Sequence, residues 1–136
     1  MKNLFWLLIL CSTLAVSCDY YQSVDIINET SYDVSVEYFN DLSDSTSNNN
    51  EYYINNPIYK RSTGSISKMG STNAISDYIN EGPEKKLYLY VFKTDTVKKY
   101  KRVFNLNELI RQHKYYQLNE FSEEQLKNAD WKIRIY

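Results

Sequence analysis

A chain of 136 residues with 16 basic and 17 acidic side chains is nearly neutral, which removes the electrostatic basis for wholesale binding to nucleic acid or anionic lipid. The length lies in the range of one domain. Only three glycines and two prolines interrupt it, and fourteen tyrosines among many Val and Ile residues favour strands over helices.

Residues 1–17 have the pattern of a secretory signal: Lys2, then the apolar run "LFWLLIL" continuing to Val16, and a small residue, Ser17, before Cys18. A spanning helix needs roughly 20 predominantly apolar residues, and the chain turns polar at "CDYYQS". Ala15-Val16-Ser17-Cys18 resembles the lipobox of bacterial lipoproteins, in which cleavage precedes a cysteine that carries acyl chains such as palmitate. The resemblance makes Cys18 the lipidation site and first mature residue. Cys11 follows the bulky Leu10 and reads as an apolar filler, so removal of residues 1–17 leaves Cys18 as the sole cysteine and an internal disulfide is impossible. Two or three acyl chains, at about 0.8 kcal/mol per buried methylene, make a durable anchor where one is marginal. Residues 18–23 then form the lipidated N-terminus and a short tether, and 24–136 the folded domain. The five residues from Asp19 to Ser23 reach about 17 Å when extended, so the domain is expected close to its membrane.

Val24 and Ile26 mark a first strand. Tyr32, Val34, Val36 and Tyr38 alternate with Asp33, Ser35 and Glu37 in a second. "NETS" between them supplies turn residues, so the pair is expected to be an antiparallel hairpin. Asn28-Glu29-Thr30 is formally a glycosylation sequon, and its meaning depends on a eukaryotic secretory route. Residues 40–51 are a polar loop whose Asp41, Asp44, Asn48, Asn50 and Glu51 lack the spacing and turn glycine of a calcium loop. Residues 51–71 read as irregular edge structure interrupted by Pro57 and Gly64.

Ile75, Tyr78 and Ile79 have helical spacing after a Thr72 or Asn73 cap, and "EGP" ends that helix. "KLYLYVF", 86–92, is apolar on both faces and is expected to be a central strand covered on both sides. Leu106, Leu109 and Ile110 predict a second helix. "KYYQLNEF" returns to alternation, Ser122 and Gln125 form a capping box for a third helix, and "DWKIRIY" closes with Trp131, Ile133 and Ile135 inward. About six or seven strands with about three short helices predict a mainly β, single β-sandwich-like domain behind the signal peptide.

The lipobox together with "YVFKTDTV", a helical segment and the closing "YYQLNEFSEEQLKNADWKIRIY" resembles small Bacteroidetes lipoproteins of unknown function. This implies a cell-envelope address and a lipid anchor, with the outer membrane expected and its periplasmic and surface sides both open. It transfers no activity.

Candidate chemistry is sparse. His113, the only histidine, sits at a helix end where a cation is favoured, and no nucleophile is marked beside it. No cofactor or metal is expected, because one lipidated thiol leaves no zinc or iron–sulfur set. Interleaved Tyr100 and cations in "KKYKR", 98–102, read as a solvated face, with contact to lipid headgroups the next choice. Glu123 and Glu124 complement the dipole of the third helix. The tyrosines are in surplus, and Tyr52, Tyr53 and Tyr59 beside the polar loop are the candidate binding face for an envelope protein or glycan. Asp44-Ser45-Thr46 and Asp95-Thr96-Val97 match the O-glycosylation pattern of Bacteroidetes envelope proteins, making Ser45 and Thr96 candidate acceptors. The expected function is a non-catalytic binding or scaffolding module held to a membrane through Cys18. The alternatives are an accessory subunit of a surface assembly and a small hydrolase.

Overall fold

The computed structural model describes residues 20–43 and 50–136. In chain order these form β1 (Tyr21–Asn28), β2 (Val34–Phe39), α1 (Asn50–Asn55), β3 (Thr63–Met69), α2 (Ala74–Glu81), β4 (Lys86–Lys93), α3 (Thr94–Tyr100), α4 (Leu106–Arg111), β5 (Gln117–Ser122), α5 (Glu123–Asn128) and β6 (Lys132–Ile135). The described residues are thus mixed α/β, with six strands in two sheets and five helices, where a mainly β domain with about three helices was expected. The two unforeseen helices, α1 and α3, carry Tyr, Ile, Thr and Val that favour strands, and burial of Tyr53 and of Thr94 and Val97 overrides that preference. None of the described helices is long and apolar enough to cross a membrane.

One sheet has the order β3-β1-β6 and the other β2-β4-β5. In the first, β1 runs antiparallel to β3 and parallel to β6; in the second, both pairs are antiparallel. The expected β1–β2 hairpin does not form. The two strands lie in different sheets, because buried Asn28 binds the carbonyls of Tyr32, Ile58 and Tyr59 and turns the chain across the molecule. β1 also begins at Tyr21, so Tyr21 to Ser23 belong to a strand and not to a tether.

The alternation in β1 and β6 follows from a sheet with one face in water: Val24, Ile26, Ile133 and Ile135 are buried while Asp25, Lys132 and Arg134 are exposed. β4 is central in its own sheet, as its two apolar faces predict. Leu87, Leu89 and Val91 join Val24, Ile26, Ile66 and Ile133 in an aliphatic cluster fed by both sheets and closed by Ile75 and Ile79 of α2 and Leu126 of α5. Tyr90 and Phe92, on the opposite face, pack with Phe39, Tyr53, Val97, Leu106 and Leu109 beneath α1, α3 and α4. Burying each such side chain contributes about 1.5–3 kcal/mol.

Local chemistry sets the helix ends. Ser122 and Gln125 form the expected capping box at α5, and Asn105 with Glu108 forms a second at α4. At α2 the Asn73 side chain makes no cap; Gln22 of β1 supplies it, its Oε1 accepting from Ile75 N at 2.8 Å and Ser76 N at 3.1 Å. Gly82 ends α2 against β2, where a Cβ would lie 2.3 Å from Asn40 O.

Candidate functional site

The most organised surface lies where β1 ends, β2 begins and β4 passes into α3. Asn28 is fully buried, its Nδ2 donating to Tyr32 O at 2.8 Å, Ile58 O at 3.0 Å and Tyr59 O at 3.1 Å. Its Oδ1 accepts from Thr30 N at 3.1 Å, and Thr30 Oγ1 accepts from Tyr32 N at 3.1 Å. Every polar atom of the Asn28 side chain is engaged, so the loop 29–33 is fixed and the Asn28 sequon is closed to a glycan. From the other side Ser35 donates to Tyr53 O at 2.8 Å and receives the Thr94 hydroxyl at 2.9 Å, tying the start of α3 to β2 and α1.

These two buried networks frame an open bay of about 440 Å³ lined by Ser31, Tyr32, Lys60, Lys93, Thr96 and Lys99 together with the carboxylates of Asp33 and Asp95. Lys93 Nζ lies 3.7 Å from the Tyr32 ring centroid and 5.1 Å from that of Tyr116. The two rings meet edge to face at 6.3 Å, and Tyr116 is fastened by its hydroxyl to Tyr136 O at 2.9 Å. Both aspartates are engaged within the protein: Asp33 Oδ1 accepts from Lys60 N at 3.0 Å, and Asp95 pairs with Lys98 at 3.6 Å. Among the described residues Lys60, Lys93 and Lys99 form no ion pair with a carboxylate.

The expected tyrosine face divides. Tyr52 and Tyr59 are exposed, whereas Tyr53 is a core residue at 8% exposure, its ring edge-on to Tyr52 at 5.2 Å. Tyr52 and Tyr53 line a narrow groove of about 200 Å³ between the outer edges of β2 and β3, floored by Ile58 and Ile66; Tyr59 is not among its walls. Tyr38 bridges the groove by donating from its hydroxyl to Ser67 O at 3.1 Å, and burial, then the neighbouring Tyr78, raises its pKa.

Cys18 and Ser45 lie outside the described residues, as does Asp44 of the polar loop. Thr96 is half-buried in the first turn of α3, on the bay wall. His113 is exposed just past α4, with Nδ1 3.2 Å from the Tyr115 hydroxyl. Asn50 and Glu51 belong to α1, and no group of three metal-ligating side chains occurs among the described residues. The "KKYKR" run is divided: Lys99 faces the bay, Lys98 pairs with Asp95, and Lys101 pairs with Glu51 at 3.1 Å. The bay residues themselves, Ser31, Lys60 and Lys93, carry no sequence signal, since they come from three separate segments, the first two joined by the Asn28 network and the third by pairing of β4 with β2. Comparison with protein-family models, curated proteins and solved structures finds no match to this chain.

Proposed function

We propose that this chain is a lipid-anchored protein of a bacterial cell envelope, akin to small Bacteroidetes lipoproteins, whose domain binds a neighbouring molecule without catalysis. The supporting observation is the shape of its N-terminal end. β1 begins at Tyr21, directly after the short link Asp19-Tyr20 from Cys18. At this end Tyr20, Tyr21 and Met69 are 56%, 66% and 69% exposed, with Tyr21 and Met69 paired across β1 and β3. Tyrosine partitions to membrane–water interfaces because its ring is apolar and its hydroxyl wet. An end with two such rings beside the acylated residue suits a domain seated on lipid, with the outer membrane as the expected location. Two sheets filled by one aliphatic cluster support the sandwich-like description of the domain.

Growth with an alkyne-bearing palmitate analogue tests the anchor. Label should appear on the wild-type chain and in the detergent phase, and Cys18→Ala should lose both. Equal labelling of the variant, or a soluble unlabelled wild type, removes the proposal.

A second reading, an accessory subunit that accepts a partner strand, is favoured by the outer edge of β3. Register with β1 leaves the backbone groups of Ser65 and the N–H of Ser67 directed outward, while Ser67 O already accepts from Tyr38. Self-association abolished by Ser65→Pro, with the far-ultraviolet spectrum unchanged, would support it.

A further inference from the structure

We infer that the bay formed by Tyr32, Lys60, Lys93 and Lys99 binds an acidic saccharide, a sugar chain whose residues bear single carboxylates. Its volume, about 440 Å³, falls in the roughly 300–1,000 Å³ range of small-molecule sites. The character of the ligand follows from the charges on the lining. Asp33 accepts a backbone N–H and Asp95 pairs with Lys98, whereas the three lysines form no ion pair with a carboxylate among the described residues. Lys93 is held in place by two rings and, among the described residues, not by an anion, which fixes the ammonium while leaving its formal charge for a ligand.

Three ammonium groups against two carboxylates give the lining an excess of one positive charge. That balance suits one carboxylate per sugar and repels a dense polyanion such as nucleic acid or a polyphosphate, which would crowd against Asp33 and Asp95. The rest of the lining suits a sugar: Ser31 and Thr96 can donate to or accept from ring hydroxyls, and the outward parts of the carboxylates can accept from them. Tyr32 is 46% exposed, with Tyr116 edge-on beside it outside the lining, and offers aromatic surface to the C–H face of a pyranose.

The position of the bay selects the source of the anion. At about 3.3 Å per residue β1 spans roughly 25 Å, with Tyr21 at the Cys18 end and Asn28, which organises the bay, at the other. The bay therefore lies at the end of β1 remote from the anchoring bilayer, within reach of envelope polymer and distant from the lipid headgroups. Only this directional step rests on the lipid-anchored reading; the charge and shape complementarity do not.

Calorimetric titration of the full chain in detergent micelles, with tetragalacturonate, maltotetraose and inorganic phosphate as probes, tests the inference. Tetragalacturonate should bind, weaken about tenfold in Lys93→Gln and severalfold in Lys60→Gln or Lys99→Gln, and weaken again in high salt. Maltotetraose and phosphate should bind at least about tenfold more weakly. Equal binding of the neutral sugar or of phosphate, no heat with tetragalacturonate at millimolar concentration, or lysine variants that bind as wild type would each overturn it. Because the probe is soluble and the protein is in micelles, loss of acylation in Cys18→Ala leaves this result intact, so the two proposals fail separately.

Discussion

The two faces of β4 fill two differently built interiors. Toward the other sheet, Leu87, Leu89 and Val91 meet a cluster whose fully buried members are all aliphatic. Toward the helices, Tyr90 and Phe92 meet Phe39 and Tyr53, and the rings continue outward through Tyr100, Phe104 and Tyr115 to the surface. Sheets that face each other present regular pleats that branched aliphatic chains interdigitate, whereas short helices on a sheet leave wider, uneven gaps that rings fill. The aliphatic layer reaches the surface at the Tyr52 groove, whose floor is its own Ile58 and Ile66. The aromatic layer has hydroxyls and cations at its rim, and the lysine bay borders it through α3.

If the layers differ in this way, removing volume from the fully buried centre of the aliphatic one has the larger cost. Leu89→Ala should destabilise the domain by about 3–4 kcal/mol, the transfer loss plus an unrelieved cavity. Phe92→Leu, a smaller volume change in a layer with an accessible rim, should cost about 1–1.5 kcal/mol. Urea denaturation of both measures the difference, and equal losses would break the distinction.

The rim of the aliphatic layer gives the next effect. Gly82 lies where α2, which contributes Ile75 and Ile79, abuts Asn40, whose Nδ2 donates to Tyr78 O at 2.7 Å. The clash is with a backbone oxygen, so Gly82→Ala must displace α2 or the end of β2. Overpacking of this kind costs on the order of 2–3 kcal/mol. A melting temperature equal to wild type would mean that α2 moves freely over the layer it closes.

A pH titration separates the faces by chemistry. Tyr88, on the aromatic face of β4, donates its hydroxyl to Glu84; that hydrogen bond, then burial, pushes its pKa up to about 12. The unfolded chain releases this proton near pH 10. The stabilisation is therefore complete below pH 10 and is lost as pH rises from 10 to 12. Tyr88→Phe should be less stable at neutral pH and should flatten the alkaline limb of the stability curve. An unchanged limb would assign it to other tyrosines.

What the residues disclose depends on range. Period-two alternation exposed β1 and β6, the doubly apolar "KLYLYVF" exposed the centre of a sheet, and Ser122 with Gln125 exposed the start of α5, because each signal is completed within a few residues. The pairing of β1 with β6 joins the beginning of the described chain to its end, and the Gln22 cap on α2 acts between residues 22 and 75, so neither leaves a local pattern. The hairpin expectation failed for the same reason. "NETS" has turn chemistry, but Asn28 spends its hydrogen bonds on Ile58 and Tyr59, thirty residues away. At the candidate sites, exposure of Tyr52 and Tyr59 was legible from their polar neighbourhood, while burial of Tyr53 required α1. Of the bay, the sequence offered Lys99 in a basic run and Thr96 in a short motif, each for another purpose.

The smallest predicted stability effect is also the sharpest test of what the lysine bay is for. Lys93 contacts two rings but no carboxylate among the described residues, and an exposed cation–π contact is worth only about 0.5–1 kcal/mol. Its stem lies at the end of β4, opposite Val34, where glutamine can occupy the same strand position. Lys93→Gln should therefore cost less than about 1 kcal/mol in urea denaturation. A residue that contributes so little to folding yet is clasped by Tyr32 and Tyr116 is organised for something outside the fold. A loss above about 2 kcal/mol, comparable to a core change, would instead make Lys93 a structural strut and the bay a feature of the fold alone.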